Sequence, residues 1–222
     1  MIAKAAKVLK WIVTCLTIFF VVVVIGIASL EFLTREENTE PDQGGLSAEV
    51  LAYQPQIETE LQKYGLENLT PILLGILQQE SGGVLSKDIF QASESLGLPP
   101  DTITDSLYSI QVGVEYFANN YESGKAQGVD IESIIQSYNF GRGYIDFSAS
   151  NGGVHSEELA KEFSSLQMEK YPGQYTCGGD TSNFRYPYCY GDWSYTTKVF
   201  SYIPTIGSLA TDTSKEHEQS GL

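Results

Sequence analysis

The sequence predicts a mainly α-helical domain behind an N-terminal transmembrane helix. An uncharged apolar run fills residues 11–30. Beyond it, apolar residues recur at i, i+3, i+4 and i+7, the period of one face of a helix. No alternating pattern of strand length occurs, and a chain of 222 residues suits one domain with attachments.

The predicted anchor covers residues 11–33. As a helix, its 20 uncharged residues would extend about 30 Å, the thickness of the hydrocarbon core of a bilayer. Lys4, Lys7 and Lys10 precede the run, so the positive-inside rule places residues 1–10 in the cytoplasm and the rest of the chain outside. A cleaved signal peptide is the alternative, although its apolar region is typically only about 7–15 residues long.

The chain beyond the anchor is acidic. The first 30 residues hold three of the 13 Lys and Arg and none of the 28 Asp and Glu. Ten basic and 28 acidic side chains therefore belong to the remainder. Such a surface argues against nucleic acid as a partner, because the phosphates would be repelled. A solvated acidic surface that avoids association is the simpler interpretation.

The helix that ends at Glu80 carries the predicted chemistry. Residues 34–47 are polar and predict a linker, and a helix is expected over 54–64. Thr70 then suits an N-cap, and apolar residues one helix face apart continue as far as Glu80. Ser81 and two glycines end this helix. Burial and the negative end of the helix dipole both raise the pKa of such a carboxyl, as a general acid requires. A solvated helix-end Glu is the alternative.

Further helices follow, each with an apolar stripe. One stripe runs from Leu107 to Tyr121, and a shorter helix begins near Asp130 and stops at Gly141. Ser156 starts another helix. Its inward residues are expected to be Leu159, Phe163 and Leu166. The segment 171–193 predicts an ordered loop, 195–202 a last short helix, and 205–222 a disordered tail.

The cysteines and the lack of known ligand-binding motifs exclude several classes of function. Cys177 and Cys189 lie in the exported part, where they form either a disulfide or two free thiols. Neither has a partner suited to nucleophilic catalysis. No spacing of metal ligands and no phosphate-binding loop occurs, so no metal and no cofactor is expected.

Three motifs in order carry a family resemblance. They are Glu80-Ser81, the stretch from Gln91 to Ser95, and Tyr138-Asn139. With them the chain resembles the lysozyme-like domain of Gram-positive cell-wall hydrolases, in the goose-lysozyme and soluble lytic transglycosylase superfamily. It is similar to small membrane-anchored surface proteins of streptococcal type. The resemblance covers residues 48–204 and implies a lysozyme-like helical fold. Phe90 departs from the Met common in relatives, and we expect it to alter the floor of the saccharide groove.

The resemblance also implies site residues. Gln91, Ser93 and Glu94 are expected to line the groove and to hydrogen-bond the sugar. Tyr138 and Asn139 match a pair that lies beside the catalytic acid in the family. A buried Tyr138 with its hydroxyl aimed at Glu80 would orient that acid, whereas a pure core role is the alternative.

Three further site assignments stay open. Ser81 is a candidate substrate-binding residue or only a helix-end residue. Asp88 is the candidate second carboxylate that many glycosidases use, although many superfamily members work with one Glu. Aromatics such as Tyr144 and Phe147 are candidates for stacking on sugars or for packing.

The expected function is therefore cleavage of the β-1,4 bond between N-acetylmuramic acid and N-acetylglucosamine in peptidoglycan. Attack by water makes the enzyme a muramidase, and attack by the 6-hydroxyl of the muramic acid makes it a lytic transglycosylase. A non-catalytic peptidoglycan-binding scaffold is the alternative from another class. The expected partners are glycan strands and the cytoplasmic membrane, with the catalytic domain outside the cell.

Overall fold

A computed structural model describes residues 45–203. The predicted cytoplasmic N-terminus 1–10, the anchor 11–33, most of the linker and the tail 205–222 lie outside the described residues. Within the described range no helix combines the length and the apolar character that crossing a membrane requires. The last linker residues belong to the domain, because Leu46 packs on the core and the Ser47 N–H donates to Gln78 Oε1 at 2.8 Å.

The described residues form eight α-helices joined by loops, and no strand occurs among them. The helices are α1 Ala48–Leu51, α2 Gln54–Gln62, α3 Thr70–Glu80, α4 Ser106–Gln127, α5 Ile131–Phe140, α6 Gly143–Ser150, α7 Glu157–Lys170 and α8 Tyr195–Ser201. Short 3₁₀ turns occur at Glu67–Leu69, Ser93–Leu96 and Cys177–Gly179. The mainly α-helical prediction is confirmed for this range.

Side-chain caps start α4, α5 and α7, and two of these caps, Asp130 and Ser156, lie where the sequence predicted a helix to begin. Asp105, Asp130 and Ser156 each accept a hydrogen bond from the backbone N–H three residues on. The prediction for Thr70 was one residue off. The N-cap of α3 is Leu69, and the Thr70 hydroxyl instead donates to the carbonyl of Glu67 at 2.7 Å.

Helix α3 is the central element of the core. Residues 72–77 are buried on all sides, because α2, α8 and the Glu67–Leu69 turn pack around them. Gly75 permits the close approach of α8: a Cβ there would lie 2.5 Å from Ile203 Cδ1 and 3.1 Å from Val199 Cγ1. Helices α4 and α5 pack together beside α2 and α8.

Two predicted core residues are exposed. Leu107 is 53% exposed and borders a surface groove between α2 and α4. Leu166 is 43% exposed. The buried stripe of α7 runs through Ala160, Phe163 and Ser164 at i, i+3 and i+4, so Leu166 lies beside this stripe and not on it.

A helix missed by the sequence analysis, α6, supports a second aromatic core. Tyr144 of α6 is fully buried against Phe140 and Phe163, and its hydroxyl shares a hydrogen bond with His155 Nδ1 at 2.8 Å. Phe147 packs on the same cluster. Tyr144 is therefore a packing residue, and this cluster supports one end of the cleft described next.

Candidate active site

Glu80 lies at the last position of α3, where the helix meets a tight turn. Gly82 and Gly83 follow with φ of +59° and +78°, a left-handed conformation that glycine adopts without strain. The Ser81 N–H still bonds to Leu77 O at 3.1 Å, so the helix continues up to the acid. The side chain of Glu80 is half-buried. A rigid helix thus presents the carboxyl at the wall of a cleft.

The cleft has a volume of about 450 Å³ and is open to solvent. The long loop between α3 and α4, the α4 helix, the end of α5 and the segment before α8 surround it. Its lining residues are Glu80, Gln91, Ala92, Glu94, Ser95, Tyr116, Tyr138, Asn139, Phe140, Gly141, Tyr175, Tyr190 and Gly191. All three sequence motifs therefore contribute to one cavity.

The pKa of Glu80 is raised from the ordinary value of 4.5 to about 7. Burial is the largest cause, and the negative charges of Asp88, Glu94 and Asp192 raise it further. A hydrogen bond from Tyr195 works in the opposite direction and lowers it. The carboxyl is therefore partly protonated at neutral pH, the condition for a proton donor.

Tyr195, the first residue of α8, holds the acid in place. Its hydroxyl donates to Glu80 Oε1 at 2.5 Å, and its ring is almost fully buried. Burial and the nearby Glu80 raise the pKa of Tyr195 well above 10, so the hydroxyl keeps its proton and remains the donor. Among the described residues, no group bonds to Glu80 Oε2. That oxygen is the one available to carry a proton toward the cleft.

The prediction that Tyr138 orients Glu80 through its hydroxyl was wrong. Tyr138 is buried and borders the cleft, but its hydroxyl donates to the carbonyl of Phe90 at 3.0 Å. Its ring packs edge-on against Tyr116, with centroids 5.3 Å apart. Tyr138 thus ties α5 to the loop that carries Gln91, and its part in substrate binding stays a prediction.

Asp88, the candidate second carboxylate, is occupied by the fold. It is fully buried and does not border the cleft. Its Oδ1 accepts from the Ala92 N–H and the Ser109 hydroxyl at 2.9 and 2.7 Å. Its Oδ2 accepts from the N–H and the hydroxyl of Ser93 at 2.9 and 2.6 Å. With both oxygens engaged and no route to a substrate, Asp88 organises the loop 88–96, and a direct role as base or nucleophile does not fit this geometry.

Ser93 is likewise buried, contrary to the expectation that it touches sugar, and Ser81 is buried too, which favours its alternative role as a helix-end residue. The Ser93 hydroxyl donates to Asp88 and accepts from the Ile103 N–H at 3.0 Å. The Ser81 hydroxyl donates to the carbonyl of Ile89 at 2.6 Å and accepts from the Gly83 N–H at 3.0 Å. Both residues are enclosed because they bind the loop to the helices. Their effect on the cleft is through backbone placement.

Gln91 and Glu94 do border the cleft, as the resemblance implies. Gln91 has φ of +47°, an uncommon conformation for a residue other than glycine. Its Nε2 donates to Asp101 Oδ1 at 2.8 Å and to the carbonyl of Asp88 at 2.9 Å. Glu94 is exposed, with its side chain at the rim. Sugar binding by these two residues stays a prediction.

Asn139 borders the cleft and also clamps the segment that leads into α8. Its Oδ1 accepts from the Asp192 N–H at 2.7 Å, and Gln136 Nε2 donates to the Asp192 carbonyl at 2.7 Å. Lys198 Nζ bonds to Asp192 Oδ2 at 2.6 Å. At Gly191 the approach is so close that a Cβ would lie 2.5 Å from the Phe140 ring. These contacts hold α8, and with it Tyr195, in position.

Phe90 does not form the floor of the groove, contrary to the expectation. It is fully buried and lies outside the cleft lining. Its ring packs on Gly113 of α4, where a Cβ would come within 2.6 Å.

Cys177 and Cys189 are joined by a disulfide that closes the loop before α8. Within residues 45–203 no cluster of acidic, His or Cys side chains suits a metal ion.

A family model for lysozyme-like proteins matches residues 47–203. The chain belongs to the lysozyme-like family. The resemblance drawn from the three motifs is thereby confirmed.

Relatives of the lysozyme-like chain come from several Gram-positive bacteria. The membrane protein YocA of Bacillus subtilis is 49% identical over 172 residues, which are 75% of this chain and 76% of YocA. The bifunctional muramidase/DL-endopeptidase CwlT of the same organism is 36% identical over 159 residues, 72% of this chain and 43% of CwlT. Pneumococcal vaccine antigen A of Streptococcus pneumoniae is 32% identical over 139 residues, 63% of this chain and 67% of that protein.

A solved structure shares the lysozyme-like fold. It is a Staphylococcus aureus protein described as similar to a lipoprotein of the NLP/P60 family, with a TM-score of 0.62 and 38% sequence identity. The match covers 72% of this chain and 54% of that one. The chain thus spans about half of the staphylococcal protein and less than half of CwlT.

Sequence reasoning missed several residues of this site. Tyr195 was expected only within a short helix, yet it contacts Glu80 from 115 positions away. The one available signal was that a Tyr on a buried helix face needs a partner for its hydroxyl. Tyr116, Tyr175 and Tyr190 also border the cleft, and no local pattern marks them.

Proposed function

We propose that this lysozyme-like domain is a peptidoglycan hydrolase that cleaves the β-1,4 bond between N-acetylmuramic acid and N-acetylglucosamine by general acid catalysis. The observation that carries the proposal is Glu80, whose pKa lies at about 7 in a solvent-open cleft. A donor with this pKa is protonated in a large fraction of molecules at neutral pH and still transfers its proton readily. CwlT, which shares this domain, is a muramidase/DL-endopeptidase by name.

In the proposed reaction, Glu80 gives its proton to the glycosidic oxygen as the bond breaks. The carboxyl then becomes a carboxylate, and the hydrogen bond from Tyr195 to Oε1 strengthens as this negative charge develops. An interaction that strengthens along the reaction stabilises the transition state more than the ground state. Glu80 next acts as the base that takes a proton from the attacking hydroxyl group.

Two candidate reactions differ in the nucleophile, which is either water or the 6-hydroxyl group of the muramic acid. Water gives a free reducing end and defines a muramidase, our first choice. The 6-hydroxyl of the muramic acid gives a 1,6-anhydro end and defines a lytic transglycosylase. The occupied oxygens of Asp88 favour a mechanism with one catalytic carboxyl in either case.

The decisive experiment is mass spectrometry of the muropeptides that residues 46–222 release from purified cell wall. Reducing ends identify a muramidase, and anhydro ends a transglycosylase. The matched variant is Glu80→Gln, which keeps the shape and an oxygen that can accept the hydrogen bond from Tyr195 but has no acidic proton to transfer. We expect it to lose at least about 99% of activity, because general acid catalysis contributes about 10²–10⁴-fold. Absence of release by the wild-type domain, with wall binding retained, would establish the scaffold alternative.

We also propose that residues 11–33 anchor the chain in the cytoplasmic membrane with the domain outside. The uncharged run and its three preceding lysines support this topology, and the relative YocA is a membrane protein by name. The protein should fractionate with membranes, and external protease should release the domain. A secreted form that begins near residue 30 would instead establish a cleaved signal peptide.

A further inference from the structure

Two tyrosines form an aromatic wall of the cleft, outside the sequence motifs. Tyr175 and Tyr190 both border the cavity, and both rings are half-buried. Their centroids lie 4.9 Å apart in an edge-to-face arrangement. Pyranose rings present a face of C–H groups that packs well on an aromatic ring, while their hydroxyls bond to a phenolic oxygen. The chemistry of this wall therefore suits a sugar.

The two rings are held in very different ways. The backbone N–H and C=O of Tyr190 both bond to the Ser164 hydroxyl, at 3.1 and 3.0 Å, and its own hydroxyl donates to the Phe140 carbonyl at 2.8 Å. Its ring also packs against Phe140 and Phe163. Tyr190 is thus part of the second aromatic core, and its hydroxyl is already occupied.

Tyr175 has no such anchoring. Every hydrogen bond of residues 172–179 joins groups only a few residues apart in sequence, such as Gln174 N–H to Tyr171 O at 3.2 Å. The Tyr175 hydroxyl accepts from Gln174 Nε2 at 3.1 Å, and no described residue accepts its proton. The O–H of Tyr175 is therefore available to an oxygen of a ligand in the cleft.

The disulfide connects this loosely held segment to the core. Cys177 follows Tyr175 by two residues, and Cys189 immediately precedes Tyr190. Cys189 is buried, and its N–H donates to the Met168 sulfur of α7. The disulfide therefore joins the backbone next to Tyr175 to the backbone next to Tyr190. This bond adds a covalent link to the core to the ring contact of Tyr175 with Tyr190.

We propose that Tyr175 is a substrate-binding residue that packs on a sugar ring of the glycan strand, and that the Cys177–Cys189 disulfide positions it. This inference rests on the proposed function, whose substrate it places against a particular wall of the cleft. Tyr190 forms the fixed back of the wall. Tyr175 supplies the face and the hydroxyl that meet the ligand.

The test compares Tyr175→Ala with a matched control, Tyr171→Ala, in the full chain. Tyr171 lies in the same segment and contacts Tyr175, with centroids 6.3 Å apart, but it does not border the cleft. Each variant is measured for muropeptide release and, in a Glu80→Gln background, for binding to purified peptidoglycan by co-sedimentation. We expect Tyr175→Ala to raise KM and weaken binding by about tenfold with kcat changed less than about threefold. Tyr171→Ala should match the wild type.

The role of the disulfide is tested by non-additivity. Cys177→Ser with Cys189→Ser should raise KM in the same direction, and adding Tyr175→Ala should raise it no further than Tyr175→Ala alone. Independent, multiplying effects would overturn the positioning role. Should the serine pair fail to fold, reduction of the folded wild-type protein with dithiothreitol supplies the same comparison, and an unchanged KM on reduction would overturn it equally.

The outcomes separate this inference from the proposed function. The proposed function is refuted if the wild-type protein releases no muropeptides, or if Glu80→Gln releases them equally well. A wild-type protein that cleaves glycan, together with a Tyr175→Ala variant of unchanged KM and unchanged wall binding, refutes the substrate-binding role of Tyr175. A variant with wild-type KM but reduced kcat refutes it as well, because a binding wall acts on affinity.

Discussion

Replacing Tyr195 with Phe removes one hydroxyl and tests how the fold holds the proposed acid. In the structure this hydroxyl donates to Glu80 Oε1 at 2.5 Å from a ring that is almost fully buried. Phe keeps the ring and its packing against the core. The variant therefore isolates the hydrogen bond from the position of α8.

The size of the effect follows from the charge on the acceptor. A hydrogen bond to a charged group contributes about 1.5–3 kcal/mol, which corresponds to about one to two pKa units and to about 10–100-fold in rate. The bond favours the carboxylate and so lowers the pKa of Glu80 against the effect of burial. Its loss should raise that pKa above 7. It should also slow proton transfer, because the carboxylate formed in the transition state loses its donor.

The assay is the pH dependence of kcat/KM for glycan cleavage, which reports the pKa values of the free enzyme. The wild-type activity should fall above pH 7, as Glu80 loses its proton. In Tyr195→Phe this alkaline limb should move upward by about one to two units. The rate at pH 6 should fall by about 10–100-fold, and the deficit should narrow as the pH rises.

Tyr138→Phe is the matched control. Its hydroxyl bonds to the Phe90 carbonyl and not to Glu80, so its loss should leave the alkaline limb in place. The free energy of unfolding of this variant should be about 0.5–1.5 kcal/mol lower than that of the wild type. A limb that moves in Tyr138→Phe, or that stays unchanged in Tyr195→Phe, would show that the assignment of the orienting residue is wrong.

Three further predictions concern stability. The raised pKa of Glu80 means that the folded protein favours the protonated carboxyl. The carboxyl ionises near pH 4.5 in the unfolded chain and near pH 7 in the folded one. The free energy of unfolding should therefore fall by about 3 kcal/mol between these two pH values. Urea titrations of Glu80→Gln should lack this slope, and an identical slope would contradict the pKa of about 7. Asp88→Asn should lower the free energy of unfolding by about 1–3 kcal/mol, since an amide NH₂ would face the buried donors of Ser93. A variant of wild-type stability without glycan cleavage would instead return Asp88 to the reaction. Gly128→Ala is the control: it has open space around it and should lose only the about 1–2 kcal/mol of stability that left-handed strain costs. Gly191→Ala should lose clearly more stability, because its Cβ would meet the Phe140 ring. Equal melting temperatures of the two variants would contradict this close contact.

The sequence by itself determined the helical class and the position of the acid. Both depend on patterns within one helix: apolar residues one face apart, caps such as Asp130 and Ser156, and the turn after Glu80. Three ordered motifs also indicated the family, and the family model that matches residues 47–203 confirms it. These signals are local, and the chemistry of neighbouring residues is enough to interpret them.

Only the tertiary structure decided which polar side chains face the cleft and which serve the fold. Asp88, Ser81 and Ser93 look like site residues in sequence, yet buried backbone N–H and C=O groups claim their oxygens. Tyr195 was predicted only to lie in a short helix, yet α8 brings its hydroxyl to Glu80 across 115 positions. A buried polar group must find a partner, and the partner is set by the packing of distant helices. No window of sequence contains that information.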